Sequence, residues 1–233
     1  MLRQINPFEA SSYSPASNQN KVVVVHNTKE ATHYMAIVHA DNGLEHHINE
    51  QLRKDSDFKE WRKAVPSRTP LSLSKYQNGY TMDSYELQKD ILEFGISLPI
   101  GQKLVHGGLW WTSKNTCVLD RPLSTTFNPQ VALREADRHP ICFDNGRIDL
   151  FLLTIRSEGV KAFPYSITKG KHANEDEVVI QAGVKLVLKG IHCDSNDYIL
   201  GKSIPGIDFV RQNNCKVNVL DVDVVLDYTV FQN

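Results

Sequence analysis

Three short segments carry residue types suited to chemistry on a sugar. Glu175-Asp176-Glu177 runs directly into Val178-Val179-Ile180. If a strand begins there, Glu175 and Glu177 point to the same face, because strand side chains alternate. Two carboxylates on one face repel, and each raises the other's pKa. A reaction centre has a use for such a pair. When a glycosidic bond breaks, one carboxylate stabilises the positively charged sugar and the other handles the proton of the attacking group. The second segment, Leu104-Val105-His106-Gly107-Gly108, ends a strand on a histidine followed by glycines. An imidazole both donates and accepts hydrogen bonds, which suits a ribose hydroxyl, and glycine lets a ligand approach the backbone closely. The third, Pro122–Phe127, sets Ser124, Thr125 and Thr126 in a row, hydroxyls able to hold a diphosphate sugar or a neighbouring carboxylate. Phe127, and Trp110 and Trp111 after the first segment, offer rings for stacking. Each segment has a plainer reading by itself: a solvated acidic turn, a strand-end histidine, a polar strand.

Taken in order, the segments narrow the choice. The succession His106-Gly107, Ser124-Thr125-Thr126, Glu175-Asp176-Glu177 resembles mono-ADP-ribosyltransferases of the arginine–serine–glutamate class. There an Arg-Gly ends a first strand, a Ser-Thr-Ser lies on a second, and a Glu-x-Glu opens a later one. Ile48-Asn49-Glu50-Gln51-Leu52-Arg53 is similar to the Ile-Asn-x-x-Leu-Arg segment of that family, and Ser84–Gly95 is placed like the helix before its first motif. The resemblance spans residues 30–230. His106 departs from it, standing where the class has arginine; the diphtheria-toxin-like class has histidine at that place.

The resemblance implies an ADP-ribosyltransferase-like fold with an NAD cleft, NAD as co-substrate and no metal. Glu177 would bind the nicotinamide ribose and stabilise the developing oxocarbenium ion, the main electrostatic contribution such a site can make. Glu175 would orient or deprotonate the acceptor. Ser124 would contact NAD and fix Glu177, with His106, Gly107, Thr125, Thr126 and Phe127 completing the cofactor site. The loop Ser166–Asn174, with Lys169, Lys171, His172 and Asn174, would meet the target protein. That target is expected to be a host protein, with a threonine of ubiquitin one candidate. The chain would be delivered into a host cell by a non-Sec route, or act as a phage product in bacterial cytoplasm. An NAD glycohydrolase and a non-catalytic interaction module with the same fold are the alternatives.

The elements that must position these residues are also legible. Asn27 with Glu30, and Asp83 with Glu86, are capping-box patterns. Ala31, Tyr34, Met35 and Val38 mark one helix face, which Asp41-Asn42-Gly43 should end. Ile48, Leu52, Phe58 and Trp61 continue a helical region to Val65, a loop is expected over Pro66–Gly79, and Gly95 should stop the last helix. Beyond it come β-branched runs at Lys103–Val105, Phe151–Ile155, Val178–Ile180, Val184–Leu188 and Val217–Val230. The expectation is an α+β fold: a helical part over 27–95, then a mainly antiparallel two-sheet β core over 100–231, in one catalytic domain spanning 21–233. Residues 1–20, rich in Ser, Asn and Gln, read as a flexible leader with too little apolar surface to order itself.

Bulk composition agrees with an enzyme acting on a soluble ligand. The 233 residues suffice for a real core, and 26 basic against 27 acidic residues leave a net charge of -1. Nothing in that balance suggests binding to nucleic acid or to a membrane surface. Cys117, Cys142, Cys193 and Cys215 form no CxxC pair and read as reduced thiols.

Overall fold

The computed structural model describes residues 2–15, 23–80, 83–168, 175–203 and 210–226. Its first half is helical: α1 (Thr28–Val38), α2 (Asn42–Lys54), α3 (Ser56–Lys63), α4 (Leu71–Gln77) and α5 (Ser84–Phe94). The boundaries follow from capping. Asn27 accepts from the Glu30 amide at 3.0 Å while Glu30 accepts from the His26 amide at 2.8 Å. These bonds satisfy backbone donors that the first turn leaves unpaired. Asp83 accepts from the Tyr85 amide at 2.9 Å and starts α5, which stops at Gly95. Helix α1 ends one step before the expected stop, on His39 in the left-handed region, and Asp41 instead opens α2 by accepting from the Gly43 and Leu44 amides.

The second half is β-rich: β1 (Ile96–Ser97), β2 (Lys103–Gly108), β3 (Thr116–Val118), β4 (Leu123–Thr126), β5 (Arg147–Ile155), β6 (Lys161–Pro164), β7 (Glu177–Ile180), β8 (Val184–Ser203) and β9 (Val210–Leu226), with α6 (Pro129–Asp137) and α7 (Pro140–Asn145) between β4 and β5. The fold class is α+β, as expected. The strands form one hydrogen-bonded order, β1-β6-β7-β4-β2-β5-β9-β8-β3, rather than two separate sheets. All described pairings are antiparallel except β5 with β9. The order is narrowest between β2 and β4, which share a single registered pair, Val105 with Thr126. The sheet therefore splays at that seam, and the segments singled out above lie on either side of it.

The core sits between the helices and the sheet, built around Trp61, Phe127, Phe151, Phe163 and Tyr165, all buried. Each such aromatic contributes about 1.5–3 kcal/mol by leaving water. Residues 2–15 correct the expectation of a leader. Ile5 and Phe8 are buried, Ile5 exchanges two hydrogen bonds with the Gln102 side chain, and the Trp61 indole donates to the Arg3 carbonyl at 3.0 Å. Two apolar residues suffice here because they bury against the rest of the chain rather than against each other. No described helix is long and apolar enough to cross a membrane.

Candidate active site

The register of β4 against β7 places the first pair of functional side chains. Thr126 lies opposite Glu177 and Ser124 opposite Val179. Ser124 and Thr126 share a face, so Ser124 is the diagonal neighbour of Glu177, within reach of a long side chain. The Ser124 hydroxyl donates to Glu177 Oε1 at 2.6 Å. The other hydroxyls serve the backbone. Thr125 donates to the Val178 carbonyl. Thr126 donates to the Glu175 carbonyl at 2.6 Å and accepts from the Asn128 amide at 2.9 Å.

Across the seam, His106 of β2 places its Nδ1 2.8 Å from the Ser124 carbonyl oxygen. A carbonyl only accepts, so Nδ1 carries the hydrogen. Burial lowers the His106 pKa to about 4, against the weaker opposing pull of that carbonyl, and the nearby His139 and Arg121 charges lower it further. The ring is neutral, and its Nε2 keeps a lone pair that can accept a hydrogen bond.

Glu177 is shifted the other way. Burial pushes its carboxyl up to about 7, the Ser124 hydrogen bond opposes the rise, and the Glu175 and Glu135 carboxylates add to it. These groups share a cleft of about 370 Å³. Its sheet side presents His106, Gly107, Ser124, Thr125, Thr126, Glu175 and Glu177. Its other walls are Glu135, Arg138 and His139 from the α6 side and Tyr76 with the turn after α4. A half-buried carboxylate with a raised pKa, a hydroxyl fixing it, a neutral imidazole acceptor and an arginine line one space. That set can hold a diphosphate sugar and stabilise positive charge on it.

Several expectations are corrected in detail. Glu175 and Glu177 both line the cleft, but strand alternation is not the cause. β7 begins at Glu177, and Asp176 before it is left-handed at φ 50°. Gly107 lies at the cleft, yet its missing side chain makes room for protein: a Cβ there would sit 1.8 Å from the Ala132 carbonyl oxygen of α6. Phe127 does not face the cleft. It is buried in the core, edge-on to Phe58 and tilted against Trp61. Trp110 and Trp111 also stand outside the cleft lining, stacked on each other at 5.9 Å and against Phe151. Lys169, Lys171, His172 and Asn174 lie outside the described residues.

Sequence reasoning missed the walls. Tyr76 belongs to α4, a helix inside the stretch expected as a loop. Burial pushes its hydroxyl up to about 12, with the Glu177 charge adding to the shift. Glu135, Arg138 and His139 come from α6 and the residues after it, and this wall did carry a signal. Asn128-Pro129 is a helix start, and Val131, Ala132, Glu135, Arg138 and His139 recur at the spacing of one helix face. Arg138 donates to Glu135 at 2.6 Å, so this wall carries a guanidinium that His106 cannot supply.

No family model matches the chain, and no curated protein matches it in sequence. Solved structures align with it at low identity. The ADP-ribosyltransferase Vis in complex with agmatine is 13% identical, with 85% of this chain and 93% of that chain covered and a TM-score of 0.41. The Vis toxin of Vibrio splendidus, also described as an ADP-ribosyltransferase, is 16% identical over 79% of this chain and 88% of its own, with a TM-score of 0.38. The enzymatic component C2-I of the C2 toxin from Clostridium botulinum is 14% identical over 92% of this chain and 54% of its own, with a TM-score of 0.34.

Proposed function

We propose that this protein transfers ADP-ribose from NAD to a side chain of a target protein and releases nicotinamide. One observation carries the reading: the Ser124 hydroxyl holds the Glu177 carboxylate at 2.6 Å, on a paired strand beside His106, in one cleft. The chain order of these residues is the order of the resembling motifs. The glycosidic C–N bond of NAD breaks, and its electron pair leaves with the nicotinamide nitrogen. The ribose becomes oxocarbenium-like, and Glu177 stabilises that charge. The acceptor then bonds to the anomeric carbon and gives its proton to Glu175. His106 Nε2 accepts a ribose hydroxyl, and the Arg138 guanidinium takes the diphosphate, which an imidazole held neutral cannot.

The acceptor we propose is a protein of a host cell into which the chain is delivered. Nicotinamide release from NAD, measured with and without a eukaryotic lysate or purified ubiquitin, tests this reading. Release should fall about 10²–10³-fold in Glu177→Ala, with ADP-ribose found on a protein by mass spectrometry. Release unaffected by Glu177→Ala sinks the assignment. Release that occurs without a protein acceptor and survives Glu175→Ala makes the activity NAD hydrolysis.

A further inference from the structure

Asp176 lies between the two cleft carboxylates and turns away from both. It is 1% exposed, and its backbone is left-handed at φ 50°, a conformation that residues other than glycine avoid. Its carboxyl faces the side-chain amide of Asn128, with Glu45 and Arg53 of α2 near enough to act on it through their charges. Among the described residues, neither Asp176 carboxyl oxygen nor Asn128 Nδ2 closes a hydrogen bond of normal geometry. Burial raises the Asp176 carboxyl well above its ordinary range, and the Glu45 charge adds to the rise.

The segment 126–128 already holds this turn through one hydroxyl and one backbone amide. Thr126 donates to the Glu175 carbonyl, and the Phe127 amide donates to the Asp176 carbonyl at 3.4 Å. Asn128 meanwhile caps α6 by accepting from the Gln130 amide at 3.1 Å. The Asp176 side chain reaches from the carboxylate turn to the foot of the α6 wall alongside the Thr126 hydroxyl, which joins Glu175 to Asn128.

We propose that Asp176 is a positioning residue, whose buried side chain seats the Glu175–Glu177 turn against Asn128 so that both carboxylates meet the cleft wall built by α6. The idea rests on the transferase reading for its kinetic consequence, though not for its geometric one. It assigns Asp176 no contact with NAD or the acceptor. Losing the side chain should therefore lower kcat and leave the KM for NAD nearly unchanged.

Two variants separate the side chain from the backbone. Asp176→Gly keeps the left-handed turn without strain and deletes the side chain. Asp176→Asn keeps a side chain of the same shape without a charge, and asparagine tolerates this conformation. Assayed well below their melting temperatures, Asp176→Asn should stay within about threefold of the native kcat, and Asp176→Gly should lose about 10–100-fold, the scale of a small misplacement of reacting groups. Adding Asn128→Ser, which keeps an acceptor to cap α6, to Asp176→Gly should cost little more, since the amide of Asn128 and the Asp176 side chain act as one unit. Crystal structures supply a readout independent of turnover: in Asp176→Gly the Ser124–Glu177 contact should lengthen beyond about 3.5 Å. If that contact is retained, or if Asp176→Gly melts lower but keeps its kcat, the residue is merely structural and the proposal falls. Equal loss in Asp176→Asn overturns it too. A native chain that releases no nicotinamide defeats the transferase reading, and the crystal contact then decides the positioning role by itself.

Discussion

In the proposed reaction Glu177 must be ionised to hold a developing sugar cation, and its surroundings make ionisation costly. Burial, with help from Glu175 and Glu135, moves its pKa up to about 7. Nicotinamide release should then rise with pH through about 7, read as kcat/KM against pH, which reports groups of the free enzyme. A flat profile from pH 6 to 8 would count against Glu177. Stability moves in the opposite direction. The folded pKa exceeds the ordinary value of 4.5, so the folded state binds more protons between those values, and the contribution of Glu177 to folding worsens as pH rises through that window. Glu177→Gln keeps an acceptor for Ser124 and removes the charge. It should be more stable than the native chain at pH 8, by about 1–3 kcal/mol, or about 2–4 °C per kcal/mol. That advantage should shrink at pH 5, and thermal melts at the two pH values check it. Activity and stability would thus trade off at one atom group. His106 gives a second test. His106→Arg restores the residue of the resembling class, yet arginine has no acceptor and would place a cation beside Arg121 and His139. Nicotinamide release should fall, not rise, and a gain would show that the cleft lacks a phosphate clamp.

At the scale of elements, the site is a seam between two strands closed by a helix. Gly107 is where helix and strand meet most tightly. A Cβ at Gly107 would clash with the Ala132 carbonyl oxygen, whereas one at Gly108 would lie 3.2 Å from His106 Nε2. Gly107→Ala must move β2 or α6 and should lower stability by about 1–3 kcal/mol or more. Gly108→Ala should keep the native melting temperature and lose activity by crowding the imidazole acceptor. Melting curves and nicotinamide release on both variants separate the two effects. The same elements show what was legible in the sequence. Asn27, Asp83 and Gly95 mark helix ends through contacts within one turn, so local spacing reveals them. Strands β5 and β9 are read from their β-branched runs for the same reason. Helix α4 is hidden because it has seven residues, Pro70 before it and no side-chain cap. Helix α6 has a capping asparagine and a proline in its first turn, but it follows a strand almost at once and was passed over with that strand's hydroxyls. Glu175 and Glu177 line one cleft for a reason that spacing cannot reveal, since a left-handed aspartate leaves no mark in a sequence.

At the scale of the whole molecule, the cleft depends on contacts far apart in the chain, which composition windows cannot register. Asp41 is one junction. It accepts from the Tyr13 and Tyr34 hydroxyls, caps α2, and its amide donates to Gln130 of α6 at 2.5 Å. The segment 2–15 is the larger one. Ile5 is hydrogen-bonded to Gln102, just before the strand that carries His106, while Arg3 holds Trp61 of α3 and Phe8 stacks on His47 of α2 at 5.6 Å. One short polar stretch thus binds two helices to the start of β2. If residues 2–15 were a dispensable leader, removing them would leave the melting temperature and activity unchanged. The packing gives the opposite expectation. Phe8→Ala alone should destabilise the fold by about 3–5 kcal/mol, the usual cost of emptying a buried aromatic site. Deletion of residues 2–12 should cost more, because the Trp61 indole and the Gln102 amide would lose their partners in the interior. Hydrogen exchange should then quicken first in α2 and β2, the elements the segment joins, and only later in the β8–β9 pair. Urea denaturation of the two variants with exchange mapped by mass spectrometry measures both. Native stability in the deletion would return the segment to a leader, whereas uniform loss of protection would mean that it supports the fold as a whole rather than the cleft.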